Sequence, residues 1–321
     1  MTVRIINSDV MDGLRSLPDE SVQCVVTSPP YWGLRDYGVA GQIGLEPTFP
    51  EFIERLVAVF AEVRRALRPD GVCFVNMGDA YAGGGGFTPG SPSNETSKSG
   101  RYAKAGATLK SPGRMAGFKS KDLIGQPWRL AFALQESGWW LRGDYIWHKP
   151  NPMPESVTDR CTKAHEYVFH LTKSERYYWD KDGIAEEMLA SSVERQARPW
   201  NGNRTRGMPD TASPHSMSHY GKDSDGSRNK RSVWTIATSP FPEAHFATFP
   251  PELPEICIKA GSKPGDTILD PFSGAGTTAL VADRLQRHAI GIELNPEYVA
   301  ISQRRINGDR GGLLDIMEAA E

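Results

Sequence analysis

Apolar and polar positions along this chain alternate between two periods, and each change of period marks an element. Short apolar runs over 3–6 and 21–27 have the length and β-branched content of strands, and the second stops abruptly at Ser28-Pro29-Pro30. Phe52, Leu56, Val59, Phe60, Val63 and Leu67 then recur at helical spacing. Thr48 with Glu51 three residues on forms a capping-box pattern, and Pro69-Asp70-Gly71 closes the helix. A buried strand is predicted over 72–77, a helix over 122–137, and strands over 139–148 and 165–171. A helix over 250–260 precedes a strand at Thr267–Asp270. A further helix, a strand over 289–293 and a last helix over 296–306, with Pro296 in its first turn, complete the pattern. Strands and helices alternating at this length predict an α/β fold with a doubly wound, mostly parallel sheet.

Composition narrows the class. The 321 residues suffice for one large domain with insertions, and no apolar run reaches bilayer length, so a chain without membrane attachment is expected. The N-terminus carries neither a secretory nor a transit pattern, which leaves the cytoplasm as the expected location. Four cysteines, Cys24, Cys73, Cys161 and Cys257, lack any zinc-ligand spacing, so no metal is expected. A net charge of −2 argues against coating nucleic acid by bulk electrostatics, but the charge is uneven. Lys98, Arg101, Lys104, Lys110, Arg114, Lys119 and Lys121 face a single acid, Glu95, in a Gly- and Ser-rich stretch that reads as a flexible cationic arm inserted over 83–121. A second polar stretch carries Arg198, Arg204, Arg206, Lys222, Arg228 and Lys230 with aromatic residues interleaved. Solvated surface loops have the same composition. The expected organisation is a catalytic body of 1–190 and 233–321, with 191–232 as a separate insertion.

Two segments carry chemistry. Thr27-Ser28-Pro29-Pro30-Tyr31-Trp32 lies at the carboxyl end of a predicted strand, where open α/β sheets bind ligands. Its prolines end the strand and remove two N–H donors, which leaves neighbouring carbonyls as outward acceptors. With the Ser28 hydroxyl they suit a planar amine that has two N–H bonds to satisfy, and Tyr31 can stack on its ring. Such bonding localises the nitrogen lone pair for in-line attack on a methyl group. A proline-rich turn packed under a loop would look the same in isolation. The second segment is Asp270-Pro271-Phe272-Ser273-Gly274-Ala275-Gly276, followed by a helix and by Glu293 at the tip of the next strand. Glycines there admit a ligand closely, and the acid can accept from both ribose hydroxyls. The run continues Thr277-Thr278-Ala279, so the full Gly-x-Gly-x-x-Gly phosphate cradle is absent. A nucleoside cofactor without phosphates fits, and S-adenosylmethionine is one. A turn needing glycine only for packing is the plain alternative.

In this order the two segments resemble the amino-methyltransferases of bacterial and phage restriction-modification systems, specifically the permuted β group in which the catalytic motif precedes the cofactor motif. The resemblance covers most of the chain, through Ser8-Asp9-Val10, Ile43-Gly44-Leu45-Glu46, Leu67-Arg68-Pro69-Asp70-Gly71, Trp147-His148-Lys149-Pro150-Asn151-Pro152-Met153-Pro154, His165-Glu166-Tyr167 and the run from Asp270 to Thr278. It implies a Rossmann-like methyltransferase sheet, S-adenosylmethionine as cofactor and double-stranded DNA as substrate. Ser28, Pro29, Pro30 and Tyr31 would be catalytic. Asp9 would lie by the adenine, Phe272 near the cofactor, Glu293 on the ribose, and Thr248 and Phe249 with Pro250 at the methionine end, with Asp270, Gly274, Gly276 and Thr277 completing the loop. Within the family, Ser at the head of the catalytic tetrad goes with cytosine N4 and Asp or Asn with many adenine N6 enzymes. Cytosine N4 is therefore the expected acceptor and adenine N6 the alternative. Cytosine C5 chemistry needs a thiolate, typically in a Pro-Cys pair, and no cysteine here follows a proline.

An amine inside a duplex must be flipped out to react, with Tyr31 as the expected stacking platform and Trp32 beside it. Arg101, Lys104, Lys110 and Arg114 are expected to grip phosphates, and Arg204 and Arg206 to contact bases, since an Arg fork suits guanine. A homodimer and a cognate restriction endonuclease are the further partners the resemblance implies. Methyltransferases acting on RNA or on glutamine side chains usually place the cofactor motif first. An inactive DNA-binding subunit would have no need of both motifs.

Overall fold

The computed structural model describes residues 1–33, 38–82, 117–188, 227–239 and 249–318, with side chains to 311. After β1 (Val3–Asn7) and a short helix α1 (Val10–Arg15), β2 (Val22–Thr27) is buried along its whole length, as its unbroken apolar run requires of a central parallel strand. Helix α2 (Phe49–Ala66) begins as its sequence dictates. Thr48 accepts from the Glu51 N–H, Glu51 reaches back to the Thr48 N–H, and proline stands in the first turn. Its apolar stripe of Phe52, Leu56, Val59, Phe60 and Val63 is fully buried.

Two boundaries differ from the sequence pattern for identifiable reasons. β3 (Leu67–Met77) starts at once after α2, because Leu67 already pairs with Val22; the register then jumps to Val72 opposite Cys24. Pro69 has no N–H for the ladder, so Pro69-Asp70-Gly71 becomes an irregularity inside the strand instead of a loop before it. Helix α3 (Gln126–Glu136) starts later than the pattern from 122 suggests. Gly125 has φ 71°, and Asp79 Oδ1 caps the helix from another element by accepting from the Gly125 and Gln126 N–H groups at 2.9 and 3.1 Å.

The remaining elements are β4 (Trp140–His148), β5 (His165–Thr172), β6 (Glu186–Glu187), β7 (Ser227–Arg228), β8 (Val233–Thr235), α4 (Glu252–Gly261), β9 (Thr267–Asp270), α5 (Thr277–Arg284), β10 (His288–Glu293) and α6 (Pro296–Glu318). Eight strands form one sheet in the order β1-β10-β9-β2-β3-β5-β4-β8. Strands β1, β10, β9, β2 and β3 run parallel, β5 runs antiparallel to β3 and β4, and β8 pairs parallel with β4. Helices α1 to α3 pack together on one face and α4 to α6 on the other. This is the expected doubly wound sheet. From β9 the chain crosses through α5 to β10 on one side, and from β2 through α2 to β3 on the other, so the strand order reverses between β9 and β2. Ligands bind at such a switch point.

The chain divides into two compact units, Met1–Trp179 with Ser232–Glu321, and Asp180–Arg231, the second holding the antiparallel pair β6 and β7. Among the described residues no helix is long and apolar enough to cross a membrane, and no cluster of ligating side chains suits a metal. Cys24, Cys73 and Cys257 are buried free thiols and Cys161 is exposed.

Helix α4 lies close on the sheet at Gly261, where a Cβ would fall 2.4 Å from Val72 Cγ2 and 2.9 Å from Cys24 Sγ. Gly261→Ala should lever the helix off β2 and β3 and destabilise the protein by about 1–3 kcal/mol in urea unfolding. A change below about 0.5 kcal/mol would mean that this contact yields freely.

Candidate active site

Both chemical segments meet at the switch point. Thr27 ends β2 and Asp270 ends the neighbouring β9, and the Thr27 hydroxyl donates to Asp270 Oδ1 at 2.7 Å. The Phe272 N–H donates to the same oxygen at 3.1 Å, and the Thr278 hydroxyl of α5 donates to Oδ2 at 2.8 Å. One buried carboxylate thus ties together the strand before the Ser-Pro-Pro-Tyr turn, the glycine loop and the helix after it. Burial raises the Asp270 pKa to about 6, and the three donors oppose that rise.

On the β10 side of Asp270, Glu293 stands at the strand tip. Its Oε2 accepts the Gly274 N–H and its Oε1 the Asn295 N–H, each at 2.8 Å, and burial raises its pKa. Each oxygen keeps a lone pair for a further donor such as a ribose hydroxyl. Gly276 caps α5 at φ 75°, and a Cβ there would fall 2.1 Å from Ser302 Oγ, so only glycine fits. Asp9 caps α1 by accepting from the Met11 N–H at 2.8 Å, two residues past Asn7, the register partner of Glu293. Phe272 packs half-buried against the core, and Phe249 is half-buried. The Thr277 hydroxyl accepts from Arg305 at 2.8 Å, which joins α5 to α6. Asp270 and Glu293 make the head of the loop acidic, and the Gly274 N–H is already engaged. This donor set repels a phosphate and accommodates a sugar diol.

On the β3 side of β2, the Tyr31 hydroxyl accepts the Gly78 N–H at 2.8 Å and donates to Glu166 Oε2 at 3.2 Å. Asn76 Nδ2 donates to the same Glu166 oxygen at 3.1 Å. The Lys149 ammonium pairs with Glu166 Oε1 and lies 4.3 Å over the Trp147 ring. Burial first, and the Glu166 charge second, push the Tyr31 phenol well above its ordinary range. The turn rests on the loop around Gly44, which has φ 104° and whose Cβ would come 3.0 Å from the Tyr31 carbonyl oxygen. Glu46 holds that loop, accepting from the Gly44 N–H at 2.9 Å and from Arg55 at 3.2 Å.

Trp32, expected beside Tyr31, turns into the core. It is buried, edge-on to Phe49 at 5.3 Å, with its indole N–H on the Glu46 carbonyl at 3.0 Å, because the turn that aims Tyr31 along the sheet edge sends the next side chain into the core. Thr248, Arg101, Lys104, Lys110, Arg114, Arg204 and Arg206 lie outside the described residues. Asn76, Asp79, Lys149 and Glu166 are brought to the site by the fold. In the sequence Lys149 and Glu166 stand out only as part of the segments that carry the family resemblance, and Asn76 and Asp79 only as polar residues at the end of a buried run.

A nucleoside-type loop and an amine-type turn tied to one carboxylate define a group-transfer enzyme of the methyltransferase class. The comparisons agree. The DNA methylase family, of the N6/N4 methyltransferase type, matches residues 22–304. The type II methyltransferase M.Cfr9I of Citrobacter freundii is 46% identical over 316 residues, covering 98% of this chain and 91% of that protein. M.SmaI of Serratia marcescens is 42% identical over 303 residues, covering 94% and 90%. The fold is shared with the PvuII DNA methyltransferase, described as cytosine-N4-specific, at a TM-score of 0.59 and 23% identity over 98% of this chain and 93% of that one. It is also shared with a putative DNA modification methylase of Thermus thermophilus complexed with S-adenosyl-L-methionine, at 0.58 and 24% over 96% and 94%. The chain belongs to the DNA methylase family.

The raised pKa of Asp270 has a consequence for stability. A folded pKa above the unfolded one means that the group's contribution is fully present below the ordinary carboxylate range and is lost as pH rises through about 6. Asp270→Asn removes that titration. The unfolding free energy of the variant relative to wild type should therefore rise as pH goes from about 4 to just above 6, by up to about 3 kcal/mol in all, in urea denaturation at each pH. A difference independent of pH would mean that Asp270 titrates normally.

Proposed function

We propose that this DNA methylase transfers a methyl group from S-adenosylmethionine to the exocyclic N4 of a cytosine flipped out of duplex DNA. The observation that carries the reading is the joining of the Ser28-Pro29-Pro30-Tyr31 turn to the Asp270–Glu293 loop at a single switch point, through Thr27 and Asp270. The bound cofactor supplies an electrophilic methyl group on a sulfonium. Glu293 takes its ribose, Gly274 and Gly276 leave it room, Asp9 lies toward its base, and Phe249 with Thr248 serves the methionine end.

The chain's own residues prepare the acceptor. One N–H of the amine donates to Ser28 Oγ and the other to a carbonyl of the Pro29-Pro30 turn. Both bonds draw the nitrogen lone pair out of conjugation with the ring and toward the methyl. Orientation and exclusion of water do the rest, and no covalent enzyme intermediate is required. Tyr31 lies along the base. Ser28 at the head of the tetrad, together with the cytosine-N4 specificity of the similar PvuII enzyme, supports cytosine over adenine. The reading extends to partners. Arg101, Lys104, Lys110 and Arg114 grip phosphates, the insertion with Arg204 and Arg206 reads the target sequence, and the body of 1–190 with 233–321 performs the transfer in the cytoplasm. Partners of the type II setting are a second copy of the chain and a cognate restriction endonuclease.

Incubation with S-adenosylmethionine and mixed-sequence duplex DNA, digestion to nucleosides and mass spectrometry should reveal N4-methylcytosine. Ser28→Ala should lower its yield by on the order of 100-fold. N6-methyladenine in its place would keep the mechanism and overturn the choice of base, and no methylated nucleoside at all would overturn the DNA reading.

A further inference from the structure

Gly78 and Glu166 hold Tyr31 at its hydroxyl, and a ring anchored only at its tip can still swing with its backbone. The other end is held by a side chain that the reaction as derived does not use. Gln126, the first residue of α3, is fully buried, where an amide has to find partners for its polar atoms. Its Oε1 accepts the Trp32 N–H, one peptide past Tyr31, at 3.3 Å, and its Nε2 donates to the Gly78 carbonyl at 3.1 Å. Gly78 in turn donates its N–H to the Tyr31 hydroxyl at 2.8 Å. The contacts therefore close a ring, from the backbone beside Tyr31 through Gln126 and Gly78 to the tip of the same tyrosine. The fit at Gly78 is tight, since a Cβ there would fall 3.1 Å from Glu166 Cγ and 3.2 Å from Tyr31 Cε2. Asp79, the residue after Gly78, keeps Gln126 in place by accepting its backbone N–H at 3.1 Å.

We propose that Gln126 is a positioning residue for methyl transfer, which joins the Trp32 N–H to the Gly78 carbonyl and so fixes the Tyr31 ring against the end of β3. The proposal rests on the methyl-transfer reading above and adds a residue that acts through Tyr31 without touching the substrate. The requirement is chemical. The Trp32 N–H needs an acceptor, the Gly78 carbonyl needs a donor, and a primary amide supplies one of each. Leucine supplies neither. An ionised carboxylate supplies acceptors alone and sets one of them against the Gly78 carbonyl. A protonated carboxyl again supplies one acceptor and one donor, so Gln126→Glu regains the ring of contacts while it holds its proton. Burial and the carboxylates of Asp79 and Glu166 favour that protonated form, whereas Arg129, Lys149 and the N-terminus of α3 favour the charged one.

Single-turnover methyl transfer by wild type, Gln126→Leu and Gln126→Glu, followed from about pH 6 to 9, tests this. Calorimetric titration of S-adenosylmethionine on the same preparations gives the affinity and counts the folded molecules. Gln126→Leu should slow transfer on the order of tenfold at every pH, with cofactor affinity and the number of binding sites unchanged. Gln126→Glu should transfer close to the wild-type rate at the acid end and fall toward the Gln126→Leu rate as the introduced carboxyl ionises. Titrations shared with the wild type, such as that of Asp270, cancel in the ratio of the two rates. Wild-type rates in Gln126→Leu would overturn the proposal. So would a Gln126→Glu ratio that does not change with pH, or slower transfer matched by a loss of binding sites. Should Gln126→Leu fail to fold, the pH course of Gln126→Glu decides alone. Transfer is read on whichever amine the wild type methylates, so a failure of the cytosine or DNA reading shows in the wild type and leaves the comparison between variants decisive.

Discussion

The buried carboxylate of Asp270 is the constraint on which the site depends. A carboxylate with so little water around it must be fully hydrogen-bonded to stay ionised, and its three donors come from the end of β2, the glycine loop and the first turn of α5. Satisfying one charge therefore sets the distance between two segments 243 positions apart in sequence. The glycine loop after β9 and the Ser-Pro-Pro-Tyr turn cannot move independently while these bonds hold. Methyl transfer requires that rigidity, because donor and acceptor must be in line within a few tenths of an ångström.

Around that clamp the carboxyl edge of the sheet divides by chemistry. Toward β10 and β1 stand Glu293 and Asp9, acids and glycines suited to a nucleoside without phosphates. Toward β3, β5 and β4 stand Gly78, Glu166 and Lys149, a charge-balanced network that grips Tyr31. The antiparallel strand β5 is what makes this second half possible. By running against β3 it brings its amino end to the edge where the parallel strands end, so Glu166 lies near Tyr31 although 135 positions separate them.

Much of this was legible in the sequence, and the reason is locality. The capping box at Thr48, the buried run of β2 and the proline stop after Thr27 depend on neighbours a few residues apart, and each formed as its pattern demands. The conformation of the glycine loop was legible because Gly274, Gly276 and Glu293 belong to one strand-helix-strand unit. What stayed hidden depends on register. Leu67 joined β3 because Val22 stood opposite, α3 began at Gln126 because Asp79 reached it from another element, and Trp32 turned inward because Glu46 and Phe49 were there to receive it. Lys149 and Glu166 recurred in the family pattern, but only the fold shows that they pair across the edge.

The central claim is that one edge holds two separable half-sites, one for the cofactor and one for the amine. Calorimetric titration of S-adenosylmethionine into wild type, Glu293→Ala and Ser28→Ala, with methyl transfer measured on the same preparations, tests it directly. Glu293→Ala should lose about tenfold or more in cofactor affinity, and Ser28→Ala should bind like wild type yet fail to transfer. Equal losses of affinity in both variants, or undiminished affinity in Glu293→Ala, would contradict the account.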